Sequence, residues 1–238
     1  MTTEQLSRTD GLFAGQTDRL ASLYTLLAEG LKHPDGTFHE DVIGGRFDAE
    51  LIRLTDALGI DVRERSIAVP DTRAGFDNQY VSLFEGLETP HAPPIESVYR
   101  QWHDGSGEDG LLSGPPAAAM RRRYETLGVE DTAGYQPDHL ALQLEYAAVL
   151  LSSGALDEHA RFLRDRLGWV EALAELVEDA GATAPFHRRC VLVTRRCLRA
   201  VRDRAGIDRP DPAATATRVR RASARLGDRS SAKTPKRR

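Results

Sequence analysis

The chain has 238 residues, 40% of them hydrophobic and 29% charged, which is enough for one sizeable core. Its net charge of −4 is unevenly divided. Residues 208–238 hold ten basic and three acidic side chains (+7), and residues 1–207 hold 22 basic and 33 acidic ones (−11). An acidic body disfavours nucleic acid as the main partner and favours a cationic ligand.

Apolar side chains recur with the helical period of 3.6 residues, and the alternation typical of strands is scarce. The first predicted helix shows this most clearly, with one apolar face formed by Leu20, Leu23, Tyr24, Leu27 and Leu31. The pattern predicts about eight helices, at residues 16–31, 47–58, 72–87, 115–127, 137–153, 156–167, 169–180 and 185–205. We therefore predict an all-α fold with three parts: a flexible N-terminus (1–15), one compact helical domain (16–207) and a disordered basic tail (208–238).

Helix ends and faces add expectations for three of these helices. Asp71 is the predicted cap of the third helix. Its apolar side contains Phe76, Tyr80, Leu83, Phe84 and Leu87. Met120, Tyr124 and Leu127 form the predicted apolar face of the fourth helix. Pro137 is of a residue type favoured in the first turn, so it marks the start of the fifth.

The two cysteines, Cys190 and Cys197, lie seven residues apart in the last predicted helix. Two helical turns separate their backbones by about 10 Å, too far for a disulfide, so we expect two small core residues. His187 and Cys190 have a spacing compatible with a metal, but no second His/Cys pair completes a tetrahedral set, and we predict no metal and no cofactor. No run of 18 apolar residues and no apolar signal core occur, so we expect a cytoplasmic protein without membrane insertion.

Residues 80–100 form the first unusual segment, in which an aromatic-rich helix end leads into a proline loop. Pro93 and Pro94 fix their own backbone angles and lack an N–H donor, so the loop is stiff and holds residues 95–99 in place. A rigid connector between two helices is the alternative interpretation of this composition.

The second unusual segment, residues 137–151, places Asp138 and His139 at a predicted helix start. The helix dipole favours the charged form of Asp138, and the neighbouring carboxylate favours a charged His139. An Asp–His pair is compatible with acid–base catalysis, but no nucleophile with a partner is evident, and a capping aspartate beside an ordinary histidine is the alternative. Phosphate-loop, serine-hydrolase and zinc-protease motifs are absent from the sequence.

Together the two segments resemble the two hallmarks of the TorD/DmsD family of redox-enzyme maturation chaperones, with the NarJ group as distant relatives. The first hallmark corresponds to Tyr80-x-x-Leu83-Phe84-x-Gly86 and Pro93-Pro94-x-Glu96-Ser97-Val98-Tyr99. The second corresponds to Pro137-Asp138-His139-Leu140. The resemblance covers residues 17–205, although Ile95 stands where several members have an aromatic residue.

The resemblance implies a cytoplasmic chaperone, not an enzyme, that binds the twin-arginine signal peptide of a molybdopterin-dependent reductase. It also implies assistance to the reductase body during cofactor insertion, before export. The residues it assigns to leader binding are Tyr80, Leu83, Phe84, Pro93, Pro94, Glu96, Ser97, Tyr99, Pro137, Asp138, His139 and Leu140. A monomer and a helix-exchanged homodimer are both compatible with it.

A twin-arginine leader has two guanidinium groups followed by an apolar stretch, so its receptor needs carboxylates beside an apolar groove. Glu96 and Asp138 are the candidates for the arginines. Leu83, Phe84 and Tyr99 are the candidates for the groove. Two alternatives stay open: a helical interaction or regulatory protein without leader binding, and a small-molecule enzyme using Asp138 and His139.

Overall fold

The computed structural model describes residues 15–62, 69–86, 91–100, 112–129, 132, 134–180, 183–213, 215–217 and 219. In these ranges the regular structure is helical, and the only strand-like pairing is a bridge between Ile95 and His139. No helix in this part of the chain is both long and apolar enough to cross a membrane. The prediction of an all-α fold is confirmed.

The α-helices are α1 (Thr17–Glu29), α2 (Gly36–Ile43), α3 (Arg46–Ala57), α4 (Arg73–Tyr80), α5 (Glu96–Tyr99), α6 (Pro115–Thr126), α7 (Leu140–Ser152), α8 (Leu156–Arg166), α9 (Val170–Ala180) and α10 (Pro185–Ala205). Residues 213, 215–217 and 219, beyond α10, are helical as well. A π-helical turn, Val81–Glu85, extends α4. All eight predicted helices are present. The two additional ones, α2 and α5, bury few apolar side chains, so apolar periodicity does not reveal them.

The core is built around α1 and α7, which make the most extensive helix–helix contact. The five predicted residues of the α1 stripe are each at most 1% exposed. Along α10, Cys190 and Cys197 lie in the buried stripe as free thiols. Burial raises the pKa of both thiols to about 12, so they are protonated at neutral pH. The prediction of two core cysteines without a disulfide is confirmed.

The start of α4 differs from the prediction by one residue. Thr72, not Asp71, is the cap, and its hydroxyl accepts a hydrogen bond from Gly75 N at 3.2 Å. At the other end, the π-helical turn buries the consecutive residues Leu83 and Phe84. Leu87, the predicted end of this apolar face, lies outside the described residues.

The ends of α6 and α7 also differ from the prediction. Met120 and Tyr124 are buried, but Leu127 is 46% exposed because it follows the last turn of α6 and points away from the core face. The helix α7 begins at Leu140, and Pro137 belongs to the turn before it.

The packed chain continues beyond residue 207, where the sequence predicts the start of a disordered tail. Ala216 and Val219 are buried and belong to the hydrophobic core. Pro210 lies close to Gly168, with its Cγ 3.3 Å from the position that a Cβ there would occupy. Small side chains suffice for these contacts, so the low content of large apolar residues did not reveal them. Residues 1–14 and 220–238 lie outside the described part.

Gly30 closes α1 at a point where the core leaves no room for a side chain. A Cβ at this position would lie 2.8 Å from Cys190 Sγ and 3.2 Å from Phe47 Cζ. Gly30→Ala is therefore expected to lower the free energy of unfolding by about 1–3 kcal/mol through overpacking, as measured by urea denaturation. Gly36→Ala is the control, because its Cβ would meet only Arg73 Nη1 at 3.7 Å. Equal losses in the two variants would contradict the packing argument.

Candidate functional site

The two segments that resemble family hallmarks lie directly against each other. Glu96 N donates to Asp138 O at 3.1 Å, and Leu140 N donates to Pro94 O at 2.8 Å, so they pair as a short antiparallel bridge. Of the twelve residues predicted to bind the leader, eleven are buried and Pro93 is half-buried. The buried ones are Tyr80, Leu83, Phe84, Pro94, Glu96, Ser97, Tyr99, Pro137, Asp138, His139 and Leu140. The structure therefore brings the segments together as one internal unit.

Asp138 holds the first segment in place through its side chain. Its Oδ2 atom accepts a hydrogen bond from Ser97 N at 2.7 Å, which caps the N-terminus of α5 from a different part of the chain. A carboxylate at a helix N-terminus is favoured by the helix dipole. The sequence places Asp138 at the start of its own helix, whereas the structure shows that it caps α5.

Glu96 is fully buried at the centre of a hydrogen-bonded network. Its Oε1 accepts from Arg100 Nε at 2.9 Å, and its Oε2 lies 2.8 Å from Arg166 Nη2 and 2.5 Å from Gln143 Nε2. Gln143 Oε1 in turn accepts from the Trp169 indole at 3.1 Å. Burial raises the pKa of Glu96, and the two guanidinium groups oppose that shift. In this structure the carboxylate predicted to receive a leader arginine is already paired with arginines of the chain itself.

The apolar candidates for the groove are core residues in this structure. Leu83 and Phe84 are 2% and 3% exposed, and Phe84 packs edge-on against His187 at 5.8 Å between ring centroids. Tyr99 stacks on Trp169 at 5.0 Å. These side chains fix the position of the proline loop from the inside and present almost no surface to a ligand.

His139 is the N-terminal cap of α7. Its Nδ1 atom accepts a hydrogen bond from Ala141 N at 3.2 Å, and its ring lies 4.9 Å from that of Tyr135. Burial, helped by the positive charge of Lys32, lowers the pKa of His139 to about 3. The prediction of a charged His139 is therefore wrong, because desolvation of the ring outweighs the effect of the adjacent carboxylate.

An apolar groove opens beside the second segment, between the end of α6 and the outer face of α7. It has a volume of about 330 Å³ and is lined by Lys32, Tyr124, Leu127, Val129, Thr132, Tyr135, Leu142, Glu145, Tyr146 and Val149. Two tyrosines connect it to the segment: Tyr124 donates its hydroxyl to Pro137 O at 2.9 Å, and Tyr135 contacts His139. Leu127, Val129 and Val149 are 44–46% exposed.

Lys32 and Glu145 are the charged residues of this groove, and they bind each other. Lys32 Nζ lies 2.5 Å from Glu145 Oε1 and 3.0 Å from Glu29 Oε1. Burial alone would lower the pKa of Lys32. The hydrogen bonds to the two carboxylates and their negative charges together have a larger effect in the opposite direction, so the pKa of Lys32 is raised above its usual value. Glu29 also lines a neighbouring acidic cleft of about 490 Å³, together with Asp18 and Glu50. The ion triad Glu29–Lys32–Glu145 thus lies where the acidic cleft meets the apolar groove.

The groove is not among the sites predicted from the sequence, although α7 carries a signal for it. Leu142, Tyr146 and Val149 recur at i, i+4 and i+7 and form a second apolar stripe, beside the one that faces the core. Gln143 was missed as well: it is a fully buried amide within an apolar helix, and such a residue indicates a buried polar partner.

Three of the histidines that are buried in the described part of the chain predict a marked loss of stability in acid. Burial lowers the pKa of His139 to about 3 and of His159 and His187 to about 4, against about 6.5 in the unfolded chain. The unfolded state therefore binds more protons between about pH 6.5 and 4. The stability that comes from keeping these rings neutral is complete above about pH 6.5, decreases progressively as the pH falls below that value, and is fully lost below the folded-state pKa values of about 4 and 3.

We expect urea denaturation at pH 5 to show a lower free energy of unfolding than at pH 7, by about 1–2 kcal/mol per histidine. In a His159→Gln variant the difference in the free energy of unfolding between pH 7 and pH 5 should be smaller by about 1–2 kcal/mol, the contribution of one histidine. Ser152→Ala, at an exposed position without a titratable group, is the control and should leave it unchanged. A stability that does not vary between pH 5 and 7 would contradict the burial argument.

Comparison with known proteins agrees with the resemblance of the two segments. The sequence profile of the family described as nitrate reductase delta subunit matches residues 46–183, which is more than half of the chain. Among solved structures, a proposed redox enzyme maturation protein from Archaeoglobus fulgidus is 19% identical, with a TM-score of 0.44 over 75% of this chain and 93% of that one. No curated protein matches the chain significantly. The chain belongs to the nitrate reductase delta subunit family, within the NarJ/TorD-type redox enzyme maturation chaperones.

Proposed function

We propose that this protein is a cytoplasmic chaperone that binds the N-terminal leader of a molybdopterin-dependent reductase and assists cofactor insertion before export. The family name, nitrate reductase delta subunit, supports a nitrate reductase as one candidate client. The observation that carries the proposal is the apolar groove beside the second hallmark, on a body of charge −11.

The groove has the chemistry that a leader requires. Its exposed leucine and valine side chains offer apolar surface to the stretch that follows the arginines. Amphipathic segments bind in this way by placing their apolar face into a groove formed by helices. The acidic body attracts the cationic end of the leader, which increases the association rate at low salt.

In this proposal the hallmark residues act mainly by positioning the groove. Pro137 O and His139 contact the two tyrosines of the wall, and Asp138 and Glu96 join the second hallmark to α5 and α8. Ordered support of this kind lowers the entropy cost of binding, because the groove is formed before the ligand arrives.

The test is isothermal titration calorimetry of the full chain with a synthetic peptide of the reductase leader. We expect binding that weakens as the salt concentration rises, since charge attraction contributes. A peptide with its apolar residues replaced by serine is the control and should bind at least about tenfold more weakly. No binding of the natural leader would overturn the proposal.

Truncation after Val219 separates leader binding from an interaction protein that works through its basic tail. The cut must fall after Val219, because Ala216 and Val219 are buried and removing them would disturb the fold. Leader binding should survive this truncation, whereas binding that depends on residues 220–238 should vanish. Loss of leader binding on truncation would favour the tail-dependent alternative.

A further inference from the structure

We propose that the ion triad Glu29–Lys32–Glu145 is the receptor for one arginine of the leader, and that Lys32 is a built-in competitor for its carboxylates. This inference rests on the proposed function. It assigns the arginine contact to residues outside both hallmarks, in place of Glu96 and Asp138.

The geometry of the triad leaves capacity for a second cation. Lys32 Nζ contacts only the Oε1 atom of each carboxylate, at 3.0 Å in Glu29 and 2.5 Å in Glu145. Within the described residues no hydrogen bond reaches the Oε2 atom of either one. The side chains of Glu29 and Glu145 are 48% and 35% exposed, so a ligand in solution can approach these oxygens.

The net negative charge of the triad favours binding of a cationic ligand. Two carboxylates and one ammonium sum to −1, and one guanidinium would neutralise them. A guanidinium is planar and carries five donors, so it can bind a carboxylate through two parallel hydrogen bonds, whereas an ammonium acts as a point charge. The leader arginine therefore competes well with Lys32 for the same carboxylates, because two parallel hydrogen bonds use the Oε2 atom together with the Oε1 atom that Lys32 contacts.

The position of the triad orients the leader. Lys32 and Glu145 line the apolar groove, and Glu29 lines the acidic cleft that also contains Asp18 and Glu50. An arginine at the triad would place the following apolar stretch over the groove and the preceding residues over the acidic cleft. The order of charge and apolarity on the surface thus matches the order along a twin-arginine leader.

The contrast with Glu96 strengthens the assignment. Glu96 has no exposed surface and is bonded to two arginines and an amide of the chain itself. To use it, the leader would have to break a buried network, which costs several kcal/mol. The triad is partly exposed and would only have to release one lysine.

A double-mutant cycle between protein and peptide tests the inference. The probes are a synthetic leader with both arginines and the same peptide with both replaced by glutamine. Glu145→Gln should weaken binding of the arginine peptide about tenfold and leave binding of the glutamine peptide nearly unchanged. Glu158→Gln is the matched control, because Glu158 is a partly exposed acidic residue of α8 that pairs with Arg161.

Lys32→Met provides an independent test, because it removes the competing ammonium and keeps the apolar stem. We expect this variant to bind the arginine peptide about threefold more tightly and the glutamine peptide without change. Equal effects of Glu145→Gln and Glu158→Gln, with no gain in Lys32→Met, would overturn the inference while leaving the proposed function intact. A wild-type chain that binds neither peptide would overturn both.

Discussion

Replacing Glu96 by alanine is expected to lower the free energy of unfolding by about 3–5 kcal/mol. The carboxylate is fully buried and receives Arg100, Arg166 and Gln143. Removing it leaves the guanidinium of Arg166, whose side chain is only 14% exposed, without its carboxylate partner and with a hydrogen bond to the carbonyl of Pro116. Burial already lowers the pKa of Arg166, which shows that its charge is poorly solvated.

Urea denaturation of Glu96→Ala beside Glu50→Ala measures this effect. Glu50 forms an ion pair with Arg53 at the surface, so its removal should change stability little. The double variant Glu96→Ala/Arg166→Met should recover part of the loss, because it removes the uncompensated charge together with its former partner. A loss no larger than that of Glu50→Ala would show that the network does not support the domain.

Leu127→Gln together with Val149→Gln is expected to weaken leader binding at least about tenfold. Both residues line the groove and are 46% and 44% exposed, so they contribute little to the core and the folded state should persist. When the leader binds, each introduced amide would lose its hydration to contact with an apolar side chain and would gain no hydrogen-bond partner. Calorimetric titration with the natural leader measures the change.

The control for this double variant is a second pair of exposed apolar residues, outside the groove. Ile43 and Leu112 are both 51% exposed and do not line the groove. Ile43→Gln together with Leu112→Gln therefore makes the same chemical change elsewhere and should leave the affinity unchanged. Equal weakening by the two pairs would mean that the groove is not the binding surface.

The helices could be predicted from the sequence because strong apolar stripes mark them. The stripe of α1 and that of α10 are buried as expected, including both cysteines. Where a helix buries few apolar residues, as α2 does with His39 and Val42, the pattern is too weak to detect. The packing of Ala216 and Val219 was missed for a related reason, since small residues give little signal.

The candidate site could be predicted only in part. The two segments were identified by their residue types, but their pairing is a tertiary contact that joins Glu96 N to Asp138 O between residues far apart in the sequence. Burial then reversed two electrostatic expectations. Glu96 became an internal partner of Arg166, and His139 became neutral, because desolvation depends on neighbours far away in the sequence.

The groove, too, could not be predicted from the sequence alone. Leu142, Tyr146 and Val149 form a visible stripe on α7, yet a stripe alone does not reveal whether a second helix covers it. In the structure α6 ends at Thr126 and leaves this face open. The open face is therefore a property of helix lengths and loop positions as well as of side-chain pattern.

Photo-crosslinking locates the leader on the surface of the protein. A leader peptide with photo-leucine in its apolar stretch is bound to the full chain, irradiated, and the crosslinked residues are identified by mass spectrometry. We predict crosslinks to Leu127, Val129 and Val149, the exposed apolar residues of the groove. Crosslinks confined to other surfaces, such as the one around Ile43, would contradict binding of the leader in the groove.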